Sequence, residues 1–320
     1  MRTIIASAAL LLLVAASARA GISADAGTSG AQFLKLGDGA RAGAMADAVS
    51  AMADDAAAAY YNPAGLAQLT GTQLGGSHTS YFQGVNYEVL NFTHPLVKEE
   101  EYTRHTLAFS VYQLSVNGIE RRSSDSEDPT GKFGDSDGAY ALSYAYGASR
   151  RLSFGATGKY IAQTLDTYRS SAYALDAGVL YHMNPDASRP LTLAGTVRNV
   201  GSRVGYVSSQ TDPLPTSVTG GASMIVFPKL LRVNLDATKY RDENMFFALG
   251  GEFTHAFNEA ASGAFRFGYS SERKDNPGSA AMNGLSFGAG VSFRKAAFDF
   301  AWIPYGGLGD TFRYSLLVKF

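Results

Sequence analysis

The chain is 320 residues long and almost neutral, with 27 Lys and Arg against 28 Asp and Glu, so it lacks the basic footprint of a nucleic-acid binder. It contains no cysteine, which excludes disulfides, a lipid-anchor cysteine and thiolate metal sites. Gly contributes 35 residues, Tyr 18 and Phe 19, against a single Trp, a mixture that suits twisted, tightly packed strands better than helices.

The first twenty residues read as a secretory signal peptide. Arg2 supplies a positive n-region, residues 4–16 an apolar h-region, and Ala18-Arg19-Ala20 the small-residue cleavage pattern, so the mature chain is expected to start at Gly21. The apolar run is too short for a membrane anchor. No later stretch reaches about 18 apolar residues, so no transmembrane helix is expected. A periplasmic protein fits that profile, and so does an outer-membrane barrel, whose strands show lipid only every second residue.

Residues 21–69 carry short helical runs, at 29–36, 41–53 and 55–61, built largely from Ala, Gly and Ser. The last run ends on Asn62-Pro63. Proline restricts the residue before it to extended geometry and so stops the helix, and Gly65 would permit a tight return.

Fourteen strands follow, at 72–81, 85–96, 104–117, 138–149, 151–164, 171–183, 189–200, 216–227, 230–241, 244–256, 262–271, 281–294, 296–304 and 311–320. The last, TFRYSLLVKF, puts Phe312, Tyr314, Leu316, Val318 and Phe320 on one face and Thr311, Arg313, Ser315, Leu317 and Lys319 on the other. Such a period of two with one apolar face is a strand half-exposed to an apolar medium. Phe298, Phe300 and Trp302 repeat it against Ala297, Asp299 and Ala301. Apolar-out, polar-in alternation and an even strand number are those of a single-chain outer-membrane barrel. Counted back from the C-terminus, the turns near 294–295, 228–229 and 149–150 are very short. The alternate connections at 120–137, 201–215 and 271–280 are long and rich in Ser, Asp, Gly and Pro. Tyr140, Tyr144, Tyr146, Tyr160, Tyr173, Tyr181 and Tyr269 are expected on or near the outer face, as aromatic girdles or as ordinary sheet aromatics.

The expected fold is therefore an all-β, transmembrane antiparallel barrel of about 14 strands with a short α-helical hatch. Its parts are a signal peptide at 1–20, the hatch at 21–69 and the barrel at 70–320. Fourteen strands lie between a barrel filled by its own side chains and an open channel, so the hatch is expected in the lumen. Arg41 would need a partner there. The lumen-facing Asp176, Asp236, Glu252 and Asp299 are candidates, the alternative being a solvated Arg41 at the periplasmic mouth.

The stretch from Gly27 to Leu69 resembles the N-terminal region of the PorV/PorQ family of outer-membrane proteins, relatives of the FadL-type transporters of hydrophobic compounds. The resemblance rests on NPAGL at Asn62 to Leu66, the spacing of Phe33, Arg41 and Met45, and Asp54-Asp55 before the alanine run. It implies a hatch built on Phe33, Arg41, Met45, Asp54, Asp55, Asn62, Pro63 and Gly65. The final Phe320 resembles the aromatic that the barrel-assembly machinery reads. The function implied is passive transport of hydrophobic or amphipathic small molecules across a Gram-negative outer membrane. The alternative is a binding platform or shuttle component of a type IX-like secretion system. The implied partners are outer-membrane lipids, the barrel-assembly machinery, and a hydrophobic ligand or a secretion-system protein, with no nucleic acid.

Catalytic sets are not evident. His78, His94, His105, His182 and His255 are scattered without metal-ligand spacing, and no G-x-S-x-G elbow occurs. Gly37-Asp38-Gly39 with Gly43 has the wrong spacing for a phosphate loop, and the acids of 125–137 do not follow the EF-hand order. No enzyme activity and no cofactor or metal are expected.

Overall fold

The computed structural model describes residues 23–100, 102–125, 128–206, 210–273 and 282–320. The expected signal peptide and cleavage site lie outside them. The strands in chain order are β1 (Gln73–Ser80), β2 (Val85–Lys98), β3 (Thr103–Arg121), β4 (Gly131–Gly147), β5 (Leu152–Leu165), β6 (Tyr168–His182) and β7 (Leu191–Gly201). A two-residue ribbon follows, β8 (Arg203–Val204) with β9 (Asp212–Pro213). The rest are β10 (Ser217–Phe227), β11 (Leu231–Tyr240), β12 (Phe246–Ala256), β13 (Ala261–Ser270), β14 (Leu285–Phe293), β15 (Ala296–Pro304) and β16 (Asp310–Lys319).

All but the ribbon form one closed antiparallel barrel of fourteen strands, in which each pairs with its sequence neighbour and β1 closes onto β16. Every expected strand is present. The outward residues are apolar, with Leu142 62% and Leu175 64% exposed, whereas inward Thr311 and Arg313 are at 0% and 2%. Of the seven tyrosines expected outside, six are well exposed and Tyr269 is half-buried. Closure removes the sheet edges that would otherwise need covering.

The connections at the chain-terminal end are short, as expected: Lys229 and Arg294 each take a left-handed turn conformation there, with φ of 61° and 52°. At the opposite, long-loop end one expectation fails. Residues 120–137 were expected as a loop, but β3 and β4 continue past a bulge between Val116 and Ile119, so only 122–130 connect them. Asp135 and Asp137 thus lie in a strand and not in a calcium-type loop. Two-stranded pairing here satisfies backbone groups that a loop would leave to water.

The hatch is less helical than its composition suggests. It holds 3₁₀ turns at Gln32–Lys35 and Pro63–Gln68 and α-helices at Ala40–Ala44 and Ala58–Tyr61. The run expected over 41–53 breaks at Ala46, Asp47 and Ala53, all with positive φ. Helices of four or five residues do not sustain themselves, so tertiary contact sets the path. The segment lies inside the barrel, with Ala40–Ala44 along β13–β16 and Pro63–Gln68 along β3–β6. Its Phe33, Leu34, Met45, Met52 and Tyr60 share one buried cluster with the wall residues Tyr87, Tyr112 and Ile161.

Candidate functional site

The site is the lumen: the seat of the hatch and the cavities on either side of it. The seat is made of inward-facing glycines. A Cβ added at Gly155 of β5 would overlap the backbone of Pro63 and Ala64, and one at Gly178 of β6 would overlap the Asn62 amide. Gly221 on β10 leaves room for the Ser50 hydroxyl, Gly288 on β14 for Ala44, and Gly250 on β12 and Gly268 on β13 for Met45 and Ala46. Small residues let two backbones approach to contact distance, where dispersion is gained along the whole interface. Part of the high glycine content is therefore a socket.

Asn62 and Pro63 act as expected in conformation. Asn62 is extended, with φ −158° and ψ 102°. Its side chain also accepts from the Ala64 amide at 3.1 Å and donates to Ser50 O at 3.0 Å and Val179 O at 3.2 Å, capping the next turn and tying the hatch to β6. Gly65 serves a different purpose from the expected one. It is not at positive φ; a Cβ there would strike the Ala53 carbonyl, so it permits a crossing within the hatch.

Arg41 finds Glu252, one of its four candidates. Its Nε and Nη2 donate to Glu252 at 2.8 and 2.9 Å, a two-pronged pair, while Nη1 reaches Asp54 at 2.6 Å and Asp55 at 2.9 Å. Arg232 bridges to Asp54 at 2.6 Å, and Arg266 links Glu252 to Asp299, each at 2.7 Å. Three arginines thus interleave with four carboxylates across β11, β12, β13 and β15. Burial alone would raise the Asp54 carboxyl, but Arg41, then Arg232, hold it below its usual range. The other candidates are engaged elsewhere: Asp176 with Lys159 at 2.6 Å, Asp236 with Ser50 N and Oγ at 2.9 and 2.8 Å, and Asp299 with Arg266. The Arg41 side chain is 21% exposed, so it is paired, as the first reading expected, and is not the solvated arginine of the alternative.

Two anchors were not foreseen as such, Asp38 having been weighed only within a rejected phosphate-loop spacing. Asp38 is buried and accepts from Asn91 at 2.7 Å and Ser77 at 3.2 Å. Burial pushes its carboxyl up to about 6, against the opposing pull of those hydrogen bonds. Asp47 accepts from Tyr61 Oη at 2.6 Å and Arg313 Nη1 at 3.0 Å. Burial would raise this carboxyl too, but Arg313, then the Tyr61 hydroxyl, hold it low. The inward parity of Arg313, Asn91 and Ser77 was a readable signal; their meeting with 38 and 47 was not.

Phe33 is buried against the hatch core, and Met45 is fully buried, its sulfur facing Asn234 Nδ2 at 3.6 Å. Phe320 lies at the barrel rim, away from all of these, 65% exposed and tied by its amide to Thr72 O at 2.9 Å. The histidines stay apart: His78 meets Glu88, His94 Thr72, His105 Tyr144 and His182 Thr192. Among the described residues no cluster of three His, Asp or Glu suits a metal.

The hatch divides the lumen. A cavity of about 310 Å³ lies toward the short-turn end among Asp38, Arg41, Asp55, Glu252 and Ser315. A second, of about 380 Å³, lies toward the long loops, walled by Tyr60, Tyr81, Phe82, Tyr240, Phe246 and Tyr305. Tyr61 lines both. Its hydroxyl donates to Asp38 O at 3.0 Å or to Asp47, so it is one of the hatch side chains between them.

A family described as uncharacterised, UPF0164, matches residues 11–160. No curated protein matches. Solved structures share the fold at low identity. The CymD monoaromatic hydrocarbon channel is 13% identical over 89% of this chain and 98% of its own, with a TM-score of 0.60. The Pseudomonas putida toluene transporter TodX is 10% identical over 88% and 98%, with a TM-score of 0.56. A Pseudomonas aeruginosa FadL homologue is 11% identical over 89% and 98%, with a TM-score of 0.53.

Proposed function

We propose that the protein sits in an outer membrane, its signal peptide removed after Ala20, and passes hydrophobic or amphipathic small molecules inward without an energy source. The observation that carries this reading is the aromatic cavity at the long-loop end, resting directly on the seated hatch. The cavity is concave and combines aromatic rings with charged side chains, Arg198, Arg313 and Glu272 among them, a lining that suits a small molecule with an apolar body and a polar end. The hatch denies water-filled passage, whereas an apolar molecule gains by leaving water for the aromatic wall. The fold neighbours that are named as hydrocarbon or toluene channels support the reading. They lend no support to the secretion-platform alternative. The kinship with PorV/PorQ proteins remains part of this proposal and rests on the 27–69 motif.

The test is uptake of radiolabelled toluene by Gram-negative cells with and without the protein, and of small hydrophilic solutes in liposome swelling. Expression should speed toluene entry while hydrophilic solutes pass slowly. Deleting residues 29–61 should leave an insertable barrel that admits them freely. Toluene entry unchanged by expression would refute the transport reading; a deletion no leakier than the parent would show that the hatch is not the barrier.

A further inference from the structure

We infer that the long-loop cavity is built for an organic anion with a compact aromatic body, recognised by Arg198. The inference rests on the uptake reading and names its substrate class. Arg198 lies where β7 carries one extra residue against β6: Leu175 pairs with Val200 and Ala177 with Val197, leaving Arg198 and Asn199 opposite Asp176 alone. Asn199 takes φ 58°. A bulge re-aims side chains, and here both Arg198 and Asn199 are buried on the lumen side.

Asn199 Oδ1 accepts from Lys159 Nζ at 2.7 Å, and Asp176 accepts from the Asn199 amide and from Lys159. That cluster neutralises itself. Arg198 makes no ion pair with it, feeling Asp176 and Lys159 only from beyond contact. Its Nη1 donates to Tyr60 O and its Nη2 to Tyr240 Oη, each at 3.2 Å, and its guanidinium lies 4.6 Å from the Tyr60 ring centre. Its Nε, buried, has no partner. Among the described residues no carboxylate comes within ion-pair reach of this guanidinium, although it is 6% exposed. Of the acids that line the same cavity, Asp47 is committed to Arg313 and Tyr61 and Asp236 to Ser50, while Glu272 lies against Glu243 and Arg273 and out of ion-pair reach of Arg198.

A buried charge without a counter-charge is costly unless something supplies one. The cavity supplies the place: Arg198 lines it from β7, and Arg313, whose Nε is also unpartnered, lines it from β16. A planar guanidinium suits a carboxylate. The surrounding Tyr60, Tyr240, Phe246 and Tyr305 offer ring faces and edges to an aromatic body. A single-ring carboxylate meets both demands, with its charge at Arg198 and its ring among the aromatics. A neutral hydrocarbon would leave the guanidinium unpaired.

The test uses purified full-length protein in mild detergent, with benzoate, benzylamine and toluene as probes in equilibrium binding. The parent should bind benzoate roughly tenfold or more tightly than benzylamine, as a charge-assisted bond predicts. Arg198→Gln should weaken benzoate by a similar factor with toluene changed less than about twofold, and Arg198→Lys should restore part of the loss. Equal affinity for anion and cation in the parent would overturn the inference without recourse to any variant. So would an equal loss of benzoate and toluene in Arg198→Gln, since that would mark Arg198 as a support for Tyr60. Toluene binding without a benzoate preference leaves the uptake reading standing. Failure of all three probes to bind counts against both.

Discussion

Gly250→Ala is the sharpest test of the seated hatch. The added methyl would lie 2.7 Å from Met45 Cβ, 2.8 Å from Met45 O and 3.4 Å from Met45 Cα. Carbon atoms in good contact stand about 3.5–4.0 Å apart, so Met45 must retreat by roughly 1 Å. It has nowhere to go. Gly268 of the next strand is already against Ala46 N and the Met45 carbonyl carbon, and Met45 Sδ faces Asn234. Overpacking of this kind costs about 1–3 kcal/mol, which raises the unseated fraction of the hatch roughly 5- to 150-fold. Rare discrete openings to small ions, counted in planar-bilayer recordings, read that fraction. Gly220→Ala is the control, because its methyl meets nothing within 4 Å. If both variants insert with parental yield and Gly250→Ala leaks no more than Gly220→Ala, the glycine seat does not hold the hatch and the reasoning fails.

Three further outcomes are expected. Phe300→Arg, on the outward face and packed 5.4 Å from the Tyr314 ring, should cost about 2–4 kcal/mol near the membrane midplane; Asp299→Asn, facing the lumen, should cost less, because Arg266 keeps Glu252. Denaturant titration of both variants checks the pair, and the reverse ranking would mean the faces are exchanged. Deleting Phe320 should lower the yield of heat-modifiable barrel in the outer membrane if assembly reads the terminal aromatic, and an unchanged yield counts against that role. Asp38, pushed up to about 6 by burial, favours the seated hatch when protonated. Its contribution is complete below about pH 4 and is lost as pH rises through about 6, by at most about 3 kcal/mol. Hatch leak should therefore be lower at pH 5 than at pH 7.5, and Asp38→Asn should flatten that difference; a slope that survives the substitution assigns it to other groups.

The barrel was legible because its signal is local and repetitive. Each strand declares its two faces by a period of two, so Phe298 and Asp299 sort correctly with no knowledge of their neighbours. The hatch was legible in kind but not in detail. Alanine-rich runs speak for helix, yet Ala46, Asp47 and Ala53 take left-handed conformations because the surrounding wall dictates the path. The residues that fasten it were half-visible. Arg41 advertised a buried charge, and Glu252 stood among its possible partners, but Asp38, Asp47 and Asp54 meet Asn91, Arg313 and Arg232 across 53, 266 and 178 positions of chain. No periodicity carries that information. The glycine seat is the instructive case. Gly288 and Gly290 could be placed on the lumen face by parity, but a glycine marks a close approach only once the approaching backbone is known.

The two ways of connecting the cavities differ greatly in cost. Unseating the whole hatch separates at least five charge-assisted contacts from the wall: Arg41 with Glu252, Arg232 with Asp54, Arg313 with Asp47, Asn91 with Asp38 and Ser50 with Asp236. At about 1.5–3 kcal/mol each, discounted for those that water reaches, the sum is on the order of 10 kcal/mol before any loss of packing. Swinging Tyr61 aside gives up the one bond its single hydroxyl proton makes, charge-assisted when Asp47 accepts it, about 1.5–3 kcal/mol, and its edge contact with the Tyr60 ring, about 0.5–1.5 kcal/mol. That leaves the swung state populated in roughly one molecule in 30 to one in 2,000, within reach of ordinary side-chain and loop motion. Energetics therefore favours a hatch that stays seated while a single aromatic moves.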